Sequence, residues 1–310
     1  MRRSWRVAKF FAHNLVCLGW LASGSASALD VGPRDVIAPP PNIAGLSVAV
    51  SHRSVEGAAD IGQASIGARI DRAQIDLRYG RSGTLAGMPA YIYVNVPWVD
   101  YDLGGEAAAN QTLALSTGRG LGDVAIAGAI WPYSDRQKGR HWAFAAYGIL
   151  PTGQYDSAHT VGVNLNPGGN RFAGILQTGV YQRLSKRLGW TGIADVMVFE
   201  DNDEFIGDDL AGRQPGRLEV KPYITYQTAL NYQVSPALNL AASYYVDRGA
   251  ETRQRGGDWK SAVNRERYGL NARLALSPTL QVGLTYKSTV DDVSGLEIKD
   301  VVRLRLLRFW

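Results

Sequence analysis

The sequence predicts an all-β fold: an antiparallel transmembrane β-barrel of about twelve strands, with short periplasmic turns and long extracellular loops. Three observations carry this. Apolar and polar residues alternate with period two in segment after segment, the connections between segments alternate between long and short, and tyrosine and tryptophan gather near strand ends. At 45% hydrophobic and 20% charged residues the chain is neither disordered nor a bundle of apolar helices. Its 35 glycines, 15 tyrosines and 8 tryptophans, against 4 histidines and 1 cysteine, favour turns and interfaces over zinc or thiol chemistry.

Residues 1–28 read as a secretory signal peptide, with Arg2, Arg3, Arg6 and Lys9, an apolar stretch from Phe10 to Ala22, and the small-residue close Ala26-Ser27-Ala28. Cleavage after Ala28 would leave 282 of the 310 residues, remove Cys17, and lower the formal charge from +5 to +1 by taking away those four cations. A mature chain so balanced has no excess of cations with which to neutralise nucleic-acid phosphates, so no nucleic-acid partner is expected. Residues 29–44 carry Pro39-Pro40-Pro41 and no strand pattern; they are expected to form a periplasmic leader, or a plug in the barrel's periplasmic mouth.

The barrel is expected over 45–310, with strands near 45–53, 72–82, 89–100, 121–133, 141–150, 171–183, 188–200, 219–234, 237–247, 266–276, 279–290 and 298–310. The pattern is clearest at 219–234, where Val220, Ile224, Tyr226, Leu230, Tyr232 and Val234 share one face and Glu219, Lys221, Thr225, Gln227, Asn231 and Gln233 the other. Long links fall at 54–71, 101–120, 151–170, 201–218, 248–265 and the shorter 291–297, and short ones at 83–88, 134–140, 184–187, 235–236 and 277–278. A soluble sandwich also alternates along its strands, but has no reason to sort its loops by parity. The same topology puts Tyr79, Trp131, Trp142, Trp190, Tyr232 and Trp310 at periplasmic ends and Trp98, Tyr244, Tyr268 and Tyr286 at external ends, as two girdles. The last strand sets Val302, Leu304, Leu306 and Trp310 on one face, Arg303 and Arg305 on the other, and must pair with the first to leave no edge.

By alternation the lumen receives Gln74, Asp76, Arg78, Asp123, Gln177, Asp195, Lys221, Gln227, Asn231, Arg273, Gln281, Lys287, Arg303 and Arg305, and the rings of Tyr91, Tyr93, Tyr147, Tyr181, Tyr223 and Tyr245. These residues either line a polar path flanked by aromatic rings, or pair with one another to fill a barrel of intermediate width.

The sequence resembles an outer-membrane family known for the meta-pathway of phenol degradation. The resemblance runs over nearly the whole mature chain. It rests on Ala38-Pro39-Pro40-Pro41-Asn42, Gly120-Leu121-Gly122-Asp123, Pro151-Thr152-Gly153-Gln154-Tyr155-Asp156, Gly169-Asn170-Arg171-Phe172 and the aromatic C-terminal strand, in that order. The family usually has tryptophan where Phe172 stands. The resemblance implies an outer-membrane channel for passive uptake of small hydrophobic or aromatic compounds, without cofactor. Its partners would be outer-membrane lipid, lipopolysaccharide, small hydrophobic solutes and the barrel-assembly machinery. The competing expectation is a barrel that does not transport, with a structural or surface-interaction role.

Other chemistry has little support. Asp201, Asp203, Glu204, Asp208 and Asp209 are rich in oxygen, but Phe205 occupies a ligand position of an EF-hand and Gly207 comes one residue late. An outer-membrane hydrolase needs a Ser–His pair on the barrel exterior or near a rim, and among the mature histidines His52, His141 and His159 the candidate is His159 with Ser157. No catalytic or metal site is expected.

Overall fold

A computed structural model describes residues 31–61, 64–110, 115–161, 163–207, 214–260, 262–292 and 296–310; the expected signal peptide, 1–28, lies outside them. Twelve strands follow one another round a closed antiparallel ring. They are β1 (Ala44–Ile61), β2 (Ala64–Leu85), β3 (Met88–Gly105), β4 (Ala125–Asp135), β5 (Arg140–Ile149) and β6 (Ala173–Arg183). The second half comprises β7 (Leu188–Phe199), β8 (Tyr223–Gln233), β9 (Leu238–Gly249), β10 (Val263–Ser277), β11 (Leu280–Asp292) and β12 (Leu296–Phe309). Each strand pairs with the next, and β12 returns to β1, so that Gly45 faces Phe309 and Val50 faces Leu304. The Tyr79 and Trp310 rings, 6.2 Å apart, staple this seam from outside.

Alternation sorts the two surfaces. Along β9, Asn239, Ala241, Ser243, Tyr245 and Asp247 are buried while Leu240, Ala242 and Tyr244 are exposed. Leu46, Val48 and Val50 on β1, Ile75 and Leu77 on β2, and Leu304 and Leu306 on β12 likewise stand exposed on the outside. A continuous apolar belt of this kind would drive association in water; against hydrocarbon it is the low-energy surface, since closure pairs the ring's backbone groups internally. No described helix is long and apolar enough to cross a membrane.

The structure corrects three boundaries. The expected link 54–71 is mostly ladder: β1 and β2 stay paired from Ala44↔Arg81 to Ile61↔Ala64. Past the belt the outer face turns polar, where Arg69 bridges Glu56 across the hairpin at 4.0 Å and Asp71 on its own strand at 2.8 Å, while Val55, Ile66, Ala68 and Ile70 are buried inside. Second, the expected strand 219–234 is two elements. Gly216–Val220 joins Asn202–Phe205 and Thr252–Gln254 in a small separate sheet at the long-loop rim, and the barrel strand restarts at Tyr223, after Pro222. Third, Trp131 leaves the girdle. It keeps the inward parity of Ala125, Ala127 and Ala129 and is 3% exposed, and the register shift between Ile130 and Tyr133 then puts Tyr133 outside in its place.

Candidate functional site: the barrel interior

Inward-facing residues of neighbouring strands meet as layers. Midway, Asp76 accepts from Gln74 Nε2 at 2.6 Å and Asn95 Nδ2 at 3.1 Å, and pairs with Arg303 at 3.2 Å. Arg78 lies over the Tyr93 ring at 4.3 Å and reaches Asn95 Oδ1 at 3.4 Å. Across the barrel, Gln227 Nε2 donates to the Tyr245 hydroxyl at 3.2 Å, and Lys287 and Arg267 approach the Tyr245 ring at 4.4 and 5.1 Å. Nearer the long-loop rim, fully buried Asp247 pairs with Arg265 at 3.0 Å and Arg267 at 2.7 Å, and Arg265 donates to the Tyr223 hydroxyl at 3.3 Å.

Residues 31–41 run through the short-turn mouth and are held from all sides. Trp131 Nε1 donates to the Val36 carbonyl (2.7 Å), Thr191 Oγ1 to that of Pro33 (2.7 Å), Ser82 Oγ to that of Pro40 (2.5 Å) and Arg136 to that of Ala38 (3.2 Å). Arg34 donates to Gln233 Oε1 at 2.5 Å. Asp35 meets Arg273 at 2.5 Å and Arg305 at 3.6 Å, and accepts from the Gly32 N–H at 2.9 Å. Burial alone would raise the Asp35 carboxyl; Arg305 and Arg273 outweigh it and hold it well below the usual carboxylate range.

Between this leader and β2–β6 lies a cavity of about 500 Å³, lined by Tyr91, Tyr93, Tyr147, Trp131 and Arg78. Small residues facing it, Ala129, Ala143, Ala145 and Gly179, leave the room. Tyr93 and Tyr147 meet edge-on at 6.3 Å, Tyr91 and Tyr93 stand 5.8 Å apart, and Tyr147 donates to Gln177 Oε1 at 2.8 Å. On the leader's other side a second cavity, of about 60 Å³, is lined by Arg273, Lys287, Arg303 and Arg305.

The opposite mouth is closed by loop residues. Val163 and Leu165 pack with Val55, Ile70, Val99 and Tyr101, and Phe205 and Leu218 with Ile149, Ile175 and Met197. Its latch is Asp123, whose carboxylate accepts from the Gly153 N–H at 2.9 Å and the Gly169 N–H at 2.8 Å. It sits in a bulge: Trp98 pairs with Leu121 and Asn95 with Ala125, leaving residues 122–124 opposite 96–97, where Pro97 has no N–H to give. Gln154 N donates to Leu121 O at 2.8 Å and Gly168 N to Gln154 O at 3.0 Å, so the three central motifs of the sequence meet at one point on the rim. A Cβ at Gly153 would lie 2.6 Å from Gly168 Cα and 2.8 Å from the Gly122 carbonyl carbon. Gly153→Ala is therefore expected to cost about 1–3 kcal/mol. The expected results are a lower denaturant midpoint in detergent and new tryptic cleavage at Arg171; an unchanged midpoint would contradict the latch.

Of the expected lumen residues, Asp76, Arg78, Tyr91, Tyr93, Asp195, Tyr181, Tyr223, Gln227, Tyr245, Arg273, Lys287, Arg303 and Arg305 lie on the inward face of their strands, buried or half-buried. Tyr181 stacks near His141 at 6.0 Å. Lys221 does not face the lumen. It is exposed at the rim, paired with Glu251 and 4.7 Å from the Trp259 ring, because the strand breaks before Pro222. Asp123 is buried but sits in the bulge as a latch rather than on a strand. The cavity escaped sequence reasoning; its only trace was a set of alanines and a glycine on inward positions of consecutive strands.

Elsewhere, His159 Nδ1 lies 3.2 Å from Asn166 Oδ1, while the Ser157 carbonyl accepts from Thr160. In the acidic loop Asp201 pairs with Arg217, and Asn170 donates to Glu204 at 3.2 Å; Asp208 and Asp209 lie outside the described residues. Among the described residues no cluster of His, Cys, Asp or Glu groups could hold a metal ion.

Fold and interior together define a closed twelve-strand barrel with an apolar outer belt and a polar, aromatic lumen crossed by its own N-terminal leader. Residues 61–295 match the family described as "Putative MetA-pathway of phenol degradation", and the chain belongs to that family. Among solved structures, the COG4313 outer membrane channel from Pseudomonas putida F1 superposes with a TM-score of 0.77 at 20% identity, over 91% of this chain and 100% of that one. The β domain of the Bordetella autotransporter BrkA gives 0.53 at 11% identity, over 87% and 100%. The transport unit of the Escherichia coli autotransporter AIDA-I gives 0.52 at 8% identity, over 93% and 95%. Curated proteins give no match.

Proposed function

We propose that this chain is a bacterial outer-membrane channel for passive uptake of small hydrophobic or aromatic compounds, exported by a signal peptide cleaved after Ala28. The observation that carries the reading is the cavity of about 500 Å³ inside the ring, walled by Tyr91, Tyr93, Tyr147 and Trp131. Its size is that of a small-molecule site, and aromatic faces and edges are the groups that bind aromatic solutes. The similarity to a structure known as an outer membrane channel supports the reading, as does membership of the phenol-degradation family. Lipid and lipopolysaccharide would contact the apolar belt, and the barrel-assembly machinery would insert it. Uptake of a toluene-like solute by cells with and without the protein is the test: faster entry supports the channel, and equal entry would leave a barrel with a structural or surface role.

Residues 31–41 would act as a plug, seated by ionised Asp35. A carboxylate held below its ordinary pKa of about 3.9 contributes fully above that value. The contribution is lost as pH falls below the ordinary pKa toward the seated group's lower one. Single-channel conductance is thus expected to be flat from about pH 7 to about pH 5 and to rise below about pH 4. A rise already above pH 5 would contradict Asp35 as the seat.

A further inference from the structure

We propose that the cavity beside the leader binds a monocyclic aromatic carboxylate, its ring against Tyr91, Tyr93 and Tyr147 and its carboxylate toward Arg78. This deepens the channel reading and rests on it, by naming the charge of the solute. The observation is the sign of the lining. Arg34, Arg78, Arg273 and Arg305 contribute four guanidinium groups to that cavity, against the single carboxylate of Asp35, so it is cationic whichever pairs form. The smaller cavity beyond the leader has arginine and lysine in its lining and no carboxylate, which extends the same field across the lumen.

Aromatic and cationic groups are also adjacent. The Arg78 guanidinium stands 4.3 Å from the Tyr93 ring centre, and Tyr93 is within 5.8 Å of Tyr91 and 6.3 Å of Tyr147. An aromatic acid carries its ring and its charge in just such proximity. A neutral hydrocarbon would gain the ring contacts but would strip water from guanidinium groups with nothing to replace it. An aliphatic or inorganic anion would meet the arginines but leave the tyrosine wall unused. Only a solute with both features uses both walls, and Arg–carboxylate geometry adds direction to the charge.

The test is calorimetric titration of the purified full-length mature protein in detergent with sodium benzoate, with its uncharged isostere benzamide, and with sodium acetate. Benzoate is expected to bind at least roughly tenfold more tightly than either. In Arg78→Gln the ratio of benzoate to benzamide affinity should collapse toward one, and Arg78→Lys, which keeps the charge, should restore most of it. Heat-modifiable migration on a gel verifies that each variant is folded, and the wild-type comparison needs no variant. Benzoate binding no tighter than benzamide, or binding unchanged in folded Arg78→Gln, would overturn the proposal. The cell-uptake comparison separates this from failure of the channel itself. Protein-dependent entry of a toluene-like solute without a benzoate preference sinks only the anion site, whereas a benzoate preference without protein-dependent entry sinks only the channel.

Discussion

Deleting residues 31–41 is expected to raise single-channel conductance by roughly threefold or more, with the barrel still folded. The leader meets the wall from several strands at once: Trp131 on β4, Thr191 on β7, Gln233 on β8, Arg273 on β10 and Arg305 on β12 all bond to it. A segment so anchored occupies the short-turn mouth. None of the barrel's ladders passes through it, since β12 closes onto β1 from Gly45 onward, so its removal should open the pore without opening the ring. Planar-bilayer recording of the purified variant beside the wild type checks this. Equal conductance would mean that permeation is limited elsewhere, with the packed loop residues Val163 and Leu165 at the other mouth as the next barrier. Asp35→Asn should give a smaller rise at neutral pH, because it removes the charge that Arg273 and Arg305 hold but leaves the backbone bonds of the leader in place.

The second large effect is expected at Asp247. Its side chain is fully buried and lies between Arg265 and Arg267, themselves 6% and 11% exposed, and it also accepts from Thr225 Oγ1 at 3.1 Å. Asp247→Ala takes the shared carboxylate from two buried guanidinium groups that point toward each other's field. Removing one partner of such a cluster costs about 3–5 kcal/mol, more than the intact pairs contribute, because the charges stay buried. Urea or guanidinium unfolding in detergent should show the midpoint fall. The double variant Asp247→Ala with Arg267→Gln should recover part of the loss, since it also removes one of the stranded cations. A midpoint unchanged in Asp247→Ala would mean that water already screens this end of the lumen.

Most of the wall was legible in the sequence because a barrel between lipid and a polar lumen imposes one strict local rule. Leu304 and Leu306 must face out and Arg303 and Arg305 in, and a shift of one residue would put guanidinium groups into hydrocarbon. The rule fails where the medium stops enforcing it. Beyond the belt, around 54–57 and 66–71, the outer face meets water and turns polar, as at Glu56 and Arg69, while Val55, Ile66, Ala68 and Ile70 pack inward, so a glycine-bearing stretch that reads as loop is in fact paired strand. Trp131 fails for another reason: its place near the strand end suggests the girdle, whereas its parity with Ala125, Ala127 and Ala129 turns it inward, and the bulge that brings Tyr133 outside in its stead leaves little trace in composition.

The sequence by itself determined the class of fold, the strand count, the parity of loops and turns, and the inward sign of nearly every candidate lumen residue, since each follows from period two and from the length needed to cross a bilayer. Only the tertiary structure decided what the interior does with those residues. It brought Asp123 to Gly153 and Gly169 as a latch, carried the leader across the mouth to Asp35's two arginines, sent Lys221 to the rim, and left a cavity where alanines of neighbouring strands fall together. These are contacts between residues far apart in the chain, set by closure of the ring and the stagger of its strands, and no local periodicity encodes them.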